Sequence, residues 1–223
     1  MMDRHDLLEA LSLHLLSRRA GHPLRVAIDG PLASGKTTLA DDLAETVGAH
    51  APAIRAGLDG FHRPRVERYA RGRRSALGYY EDARDYAAMR RALLDPLGPG
   101  GSRLYRTGLF DLKADQPAEA PLESAGADAV LIVEGTFLQR PEFDGAWDVV
   151  VFLDIDPELS LARGLSRDSA ALGGPDAAAA LYRERYLPAW AMYAAACRPG
   201  ERADVVIDHR DFQAPEIARM ARP

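Results

Sequence analysis

Apolar residues along this chain fall into two alternating rhythms. Leu24-Arg25-Val26-Ala27-Ile28-Asp29 is a short run with β-branched residues, bounded by Pro23 and Gly30, and it predicts a buried strand. Four more runs of this kind follow, at Ala53–Leu58, Ala129–Val133, Val149–Asp154 and Ala203–Asp208. Between them the spacing widens to a helical period. Leu39, Leu43 and Val47 stand at i, i+4 and i+8, and Gly48 ends the run. Helices are also predicted around 85–95, 157–167 and 176–196. Ahead of the first strand, a leucine-rich stretch over roughly 3–19, interrupted by Asp3, Arg4, Asp6 and Glu9, reads as an amphipathic helix.

Strands that alternate with helices predict a mainly parallel sheet covered on both faces, here with five strands in a three-layer α/β/α arrangement. The 223 residues suit a single domain over 1–223. Residues 59–128, between the second and third strands, far exceed what one crossover needs. With the turn-rich Pro96-Leu97-Gly98-Pro99-Gly100-Gly101, they predict a substrate-covering insertion on the carboxyl side of the strands.

Between the first strand and the Leu39 helix lies Gly30-Pro31-Leu32-Ala33-Ser34-Gly35-Lys36-Thr37, which fits the phosphate-binding pattern G-x-x-x-x-G-K-[ST]. Strand, glycine turn and helix are the context that pattern requires, and they point to a P-loop NTPase fold. The chain has 26 arginines and only two lysines, so a lysine at position 36 stands out. A compact ammonium fits between β- and γ-phosphates where a planar guanidinium would not. Gly30, Ala33, Ser34, Gly35, Lys36, Thr37 and Thr38 are the predicted nucleotide contacts, and the Thr37 hydroxyl is the predicted Mg²⁺ ligand.

Asp59 follows the second strand, where a carboxylate can accept a proton from a hydroxyl or face a metal; the other reading is a turn cap before Gly60. Glu134 ends the third strand, where an acid either joins the metal site or lies in solvent. Arg163 and Arg167 share one helix face ahead of Ser169–Pro175, so residues 163–176 read as a lid whose arginines could close over phosphates, or as a solvated helix face. His62 lies near Asp59 and could touch an acceptor. Tyr79, Tyr80, Tyr105 and Arg106 are further candidates for acceptor contact, although aromatics are more often core. The run Arg63, Arg65, Arg68, Arg71, Arg73 and Arg74 reads more naturally as a solvated face paired with acids such as Glu67 and Glu81 than as an anion funnel.

Net charge −5 argues against a general nucleic-acid or anionic-membrane binder. No apolar run reaches transmembrane length, and the N-terminus lacks the apolar centre of a signal peptide. Cys197 is the single cysteine and fits a reducing compartment. A cytoplasmic protein is expected; whether it forms a homo-oligomer is left open.

Together the loop 30–37, Asp59-Gly60-Phe61-His62, Glu134-Gly135, the Tyr182, Tyr186 and Pro188 element and the late strand Ala203–Ile207 resemble the uridine kinase and phosphoribulokinase family, from about residue 24 to 212. The resemblance implies transfer of the γ-phosphate of ATP, with Mg²⁺, to a hydroxyl of a small molecule: a nucleoside-like acceptor first, pantothenate or a sugar phosphate as alternatives. It implies Asp59 as base, Lys36, Thr37 and Glu134 as the phosphate and metal shell, and Arg163 and Arg167 as lid arginines. The nucleoside pocket departs from the pattern. Where uridine kinases carry Asp-His-Pro-Asp-Ala-Phe-Asp, this chain reads Tyr79-Tyr80-Glu81-Asp82-Ala83-Arg84-Asp85, with Tyr79 in place of the ribose-holding Asp. A catalytically silent ATP-binding regulator is therefore a second reading. A GTPase switch is disfavoured, because a chain without asparagine cannot contain Asn-Lys-x-Asp.

Overall fold

The computed structural model of the chain describes residues 3–18 and 20–221. Arg19, the last residue of the expected first helix, lies outside them, as do both ends of the 1–223 span.

The sheet has six strands: β1 Leu24–Asp29, β2 Ala53–Gly57, β3 Val130–Glu134, β4 Val149–Asp154, β5 Val205–Asp208 and β6 Glu216–Met220. Their order is β6-β5-β4-β1-β3-β2, with β6 antiparallel to β5 and every other pair parallel. Five strands were expected. The sixth is an exposed edge strand whose side chains show no apolar alternation, so its sequence carries no strand pattern. β1 is buried along its whole length, as expected for a central parallel strand covered on both faces. Its one basic residue, Arg25, is neutralised by Asp148, to which Nε donates at 3.1 Å and Nη2 at 3.0 Å.

Alternate side chains feed two cores. Val26, Ile28, Val130, Ile132, Val151, Leu153, Val205 and Ile207 face α1 (Arg4–Ser17) and α2 (Lys36–Gly48), which supply Leu7, Leu11, Leu15, Leu39, Leu43 and Val47. Ala27, Ala56, Leu131 and Val133 face the opposite layer, with Met89, Leu93, Leu97 and Phe143. Asp3 caps α1 by accepting from the Asp6 amide at 2.9 Å, and Arg4 ties α1 to α2 through Asp42. Among the described residues, no helix is long and apolar enough to cross a membrane.

β2 stops one residue early, because Leu58 opens a 3₁₀ turn, Leu58–Phe61, that carries Asp59. The segment between β2 and β3 then forms short helices, including α3 (Ala76–Glu81), and two two-residue antiparallel ladders. α4 (Pro157–Leu172) runs through Ser169-Ala170-Ala171-Leu172, read above as part of a lid loop, because small residues are compatible with helix; Gly173 at φ +95° ends it. α5 (Pro175–Leu181) passes through a π turn, Tyr182–Tyr186, into α6 (Leu187–Cys197).

Candidate active site

Gly35 caps the N-terminus of α2 at φ +92°, a conformation open chiefly to glycine. A Cβ there would lie 2.7 Å from His209 Cε1 and 2.9 Å from Phe212 Cε2, so the loop closes against the C-terminal segment only without a side chain. α2 thereby aims its unpaired N–H groups and the positive end of its dipole into the loop. The Lys36 ammonium donates to the Gly30 carbonyl at 3.1 Å, to the Pro31 carbonyl and to Ser34 Oγ. Burial pushes Lys36 down to about 8, against the pull of Glu134 and Asp29.

Asp29, fully buried at the end of β1, anchors the start of the loop. Its Oδ1 accepts from the Gly30 amide at 2.8 Å and the Phe137 amide at 3.2 Å. Its Oδ2 accepts from Gln139 Nε2 at 3.2 Å and from the Tyr193 hydroxyl. Burial pushes this carboxyl above the usual range, and the Tyr193 and Gly30 hydrogen bonds oppose the shift. Sequence reasoning missed its role; the available clue was a carboxylate closing a buried strand that is apolar but for Arg25.

Gly57, Glu134 and Ile28 stand side by side at the carboxyl ends of β2, β3 and β1. A Cβ on Gly135 would come within 2.6 Å of Leu58 Cβ, so glycine there lets the Asp59 turn pack on the end of β3. Asp59 and Glu134 consequently line one cavity of about 590 Å³ with loop residues 32–38, Tyr79, Arg84, Thr136, Arg163, Arg167 and Phe212. Burial pushes the Glu134 carboxyl up, with Lys36 and Arg55 pulling it back in part. The surrounding cavity wall opposes charge on Asp59, whose side chain itself opens to solvent, yet Arg84 at 3.5 Å and His62 at 3.6 Å outweigh it, and the carboxyl titrates below the usual range.

His62 lies against the Asp59 turn. Its Nδ1 is 3.0 Å from the Asp59 carbonyl, which can only accept, so Nδ1 carries the proton. Burial, then Arg84, pushes its pKa down to about 4, so the ring is neutral near pH 7. Arg163 donates to the carbonyls of His209 at 3.0 Å and Arg210 at 2.9 Å, binding α4 to the segment behind Gly35. Arg167 pairs with Asp168 at 2.7 Å, and Asp168 accepts from the Tyr182 hydroxyl at 2.6 Å.

Of the residues singled out from sequence, the structure brings Ala33, Ser34, Gly35, Lys36, Thr37, Thr38, Asp59, Tyr79, Glu134, Arg163 and Arg167 to the cavity wall, with Gly30 at the loop's start. It does not bring His62, Tyr80, Tyr105 or Arg106 there. Tyr80 is buried against Phe137 and under the Arg140 guanidinium. Tyr105 is a core residue whose hydroxyl donates to Glu123 at 3.1 Å. Arg106 is taken up by Glu119 and the Ala120 carbonyl. Arg84 and Phe212 were missed, since neither belongs to a local pattern. The arginine run is largely paired: Arg63 with Glu67, Arg65 and Arg68 with Asp115, Arg71 with Asp82, Arg74 with Glu184.

The donors that could face a cation are the Thr37 hydroxyl and two carboxylates, all hard oxygens of the kind Mg²⁺ takes. Among the described residues no cluster of three His, Cys, Asp or Glu could hold a metal by itself, so further ligands would come from phosphate or water.

A model of the phosphoribulokinase / uridine kinase family matches residues 26–213. A solved structure described as a possible uridine kinase from Bacillus stearothermophilus is 24% identical, with 91% of this chain and 97% of that chain covered and a TM-score of 0.71. D-glycerate 3-kinase from Cryptococcus neoformans is 13% identical, with 95% and 98% covered and a TM-score of 0.60. Phosphoribulokinase from Rhodobacter spheroides is 15% identical, with 85% and 71% covered and a TM-score of 0.58. At such identities the likeness is one of fold. No curated protein matches the chain.

Proposed function

The chain belongs to the phosphoribulokinase / uridine kinase family, and from that premise we propose that it transfers the γ-phosphate of ATP to a hydroxyl of a small molecule. The observation that carries this reading is the single cavity in which the phosphate loop, Asp59, Glu134, Arg163 and Arg167 meet. The loop amides and Lys36 would hold the β- and γ-phosphates. Magnesium, held by Thr37 with Asp59 and Glu134, would supply neutralisation of charge between those phosphates.

Asp59 is ionised at neutral pH and can accept a hydrogen bond from the acceptor hydroxyl. A carboxylate held below its usual pKa is a weak base. That suits a loose phosphoryl transition state, in which the attacking oxygen keeps its proton until late. The last turns of α4 and the Gly173-Gly174 pair, at φ +95° and +106°, would let residues 163–176 act as a lid and carry Arg167 over the transferring group. Residues 59–128 would cover the acceptor. The family resemblance points first to a nucleoside-like acceptor, with pantothenate or a sugar phosphate as alternatives.

ADP release over a panel of nucleosides, sugar phosphates and pantothenate tests the reading. Asp59→Asn should leave ATP binding nearly intact and lower turnover about 10²–10⁴-fold. Unchanged turnover would remove Asp59 from the chemistry. ATP–Mg²⁺ binding with no acceptor phosphorylated would favour a silent regulator.

A further inference from the structure

We propose that the acceptor carries an anionic group, a carboxylate or a phosphate, and that Arg84 binds it. The inference rests on the kinase reading above and narrows its substrate class.

Arg84 lines the cavity beside Asp59 with its side chain only 5% exposed. Its Nη2 donates to the Tyr79 hydroxyl at 3.1 Å and lies 3.5 Å from Asp59 Oδ1. Its Nε and Nη1 have no hydrogen-bond partner. The Tyr79 and Phe137 rings lie 4.8 and 5.8 Å from the guanidinium carbon. Ring faces attract the charge but do not take up in-plane N–H donors as an oxygen does. Asp59, 3.5 Å away and itself 69% exposed, is the one carboxylate within salt-bridge distance of Arg84 among the described residues. It is also the group placed to face the acceptor hydroxyl.

A second guanidinium deepens the imbalance. Arg185 lies 4.9 Å from the Tyr79 ring, and the residue is 3% exposed. Its hydrogen-bond partner is the Arg73 carbonyl, and no carboxylate pairs with it among the described residues. Two buried guanidinium groups therefore lie within 5 Å of the Tyr79 ring, and one carboxylate, Asp59, is paired with the first of them. A neutral nucleoside would leave that field unanswered. A carboxylate or phosphate next to the reacting hydroxyl would answer it, accepting charge-assisted hydrogen bonds from the guanidinium.

The test is a thermal-shift titration in saturating ADP–Mg²⁺. D-Glycerate and glycerol 3-phosphate are the anionic probes, which also separate carboxylate from phosphate; glycerol and uridine are the neutral ones. At least one anionic probe should raise Tm while the neutral probes do not. Arg84→Lys, which keeps the charge but loses the fork, should weaken that probe roughly tenfold or more, and Arg84→Gln further still, with ADP affinity unchanged. Circular dichroism checks folding, and Arg84→Lys serves if Arg84→Gln does not fold. No shift from either anionic probe, an equal shift in the variants, or preferential binding of uridine overturns the inference and leaves the kinase reading standing. Failure of the wild-type protein to bind ADP–Mg²⁺ would instead sink the kinase reading.

Discussion

The two ends of the cavity are built in different ways. The phosphate end is made of backbone: consecutive residues 30–37, a helix N-terminus and one lysine, anchored by Asp29 beneath. The acceptor end is made of side chains from scattered segments, with Asp59, Tyr79 and Arg84 on the wall and Phe137 and Arg185 packed near them. On the proposed reading, backbone amides would contact only the tripolyphosphate, which does not change with the acceptor. Side chains can be exchanged one at a time without disturbing the loop, so specificity can drift while phosphotransfer geometry stays.

Gly35→Ala would break this division most severely. It forces a left-handed φ on alanine, which costs about 1–3 kcal/mol, and drives a methyl into His209. Nucleotide binding should be lost and Tm lowered, as followed by calorimetry. Retained ADP affinity would mean that the loop does not depend on close packing against the C-terminal segment.

A pH series sharpens the comparison with a smaller effect. Lys36 in the free protein loses its proton near pH 8. Bound phosphate should raise that pKa, so ADP affinity falls as pH rises above about 8, by at most about tenfold per unit. Folding stability has the opposite slope. The folded pKa lies below the ordinary lysine value of 10.5, the unfolded chain holds more protons between the two values, and Lys36's unfavourable contribution to stability is relieved as pH climbs through that window. A flat affinity profile would remove the lysine from phosphate binding.

The smallest effect is expected outside both ends. Arg71 and Arg74 form exposed pairs with Asp82 and Glu184, so alanine at either should cost at most about 0.5 kcal/mol and leave KM for both substrates unchanged. A raised acceptor KM would extend the acceptor end into the basic run.

The same division explains what could be read in the sequence. β1, the loop, α2 and β4 were legible because each is contiguous and each obeys one period or one spacing rule. Asp59 and Glu134 were legible because one follows a strand and the other ends one. Arg84 was not, since its meaning lies in Tyr79, Phe137 and Asp59 around it, and no spacing rule joins those positions. Tyr105 and Arg106 looked like acceptor contacts by residue type, yet a hydroxyl can be satisfied by Glu123 and a guanidinium by Glu119 as readily as by substrate. β6 was missed because an edge strand needs only one backbone partner and no buried face.

The strand order also bears on how the molecule is born. β1 emerges early but pairs with β3 and β4, starting at Leu24 with Val130 and Val26 with Val149. At ribosomal speeds of about 5–20 residues per second, the nascent chain would expose that greasy segment for roughly 6–25 s before its neighbours arrive. Such delayed, long-distance pairing makes for slow folding, and a chaperone has the whole interval in which to act.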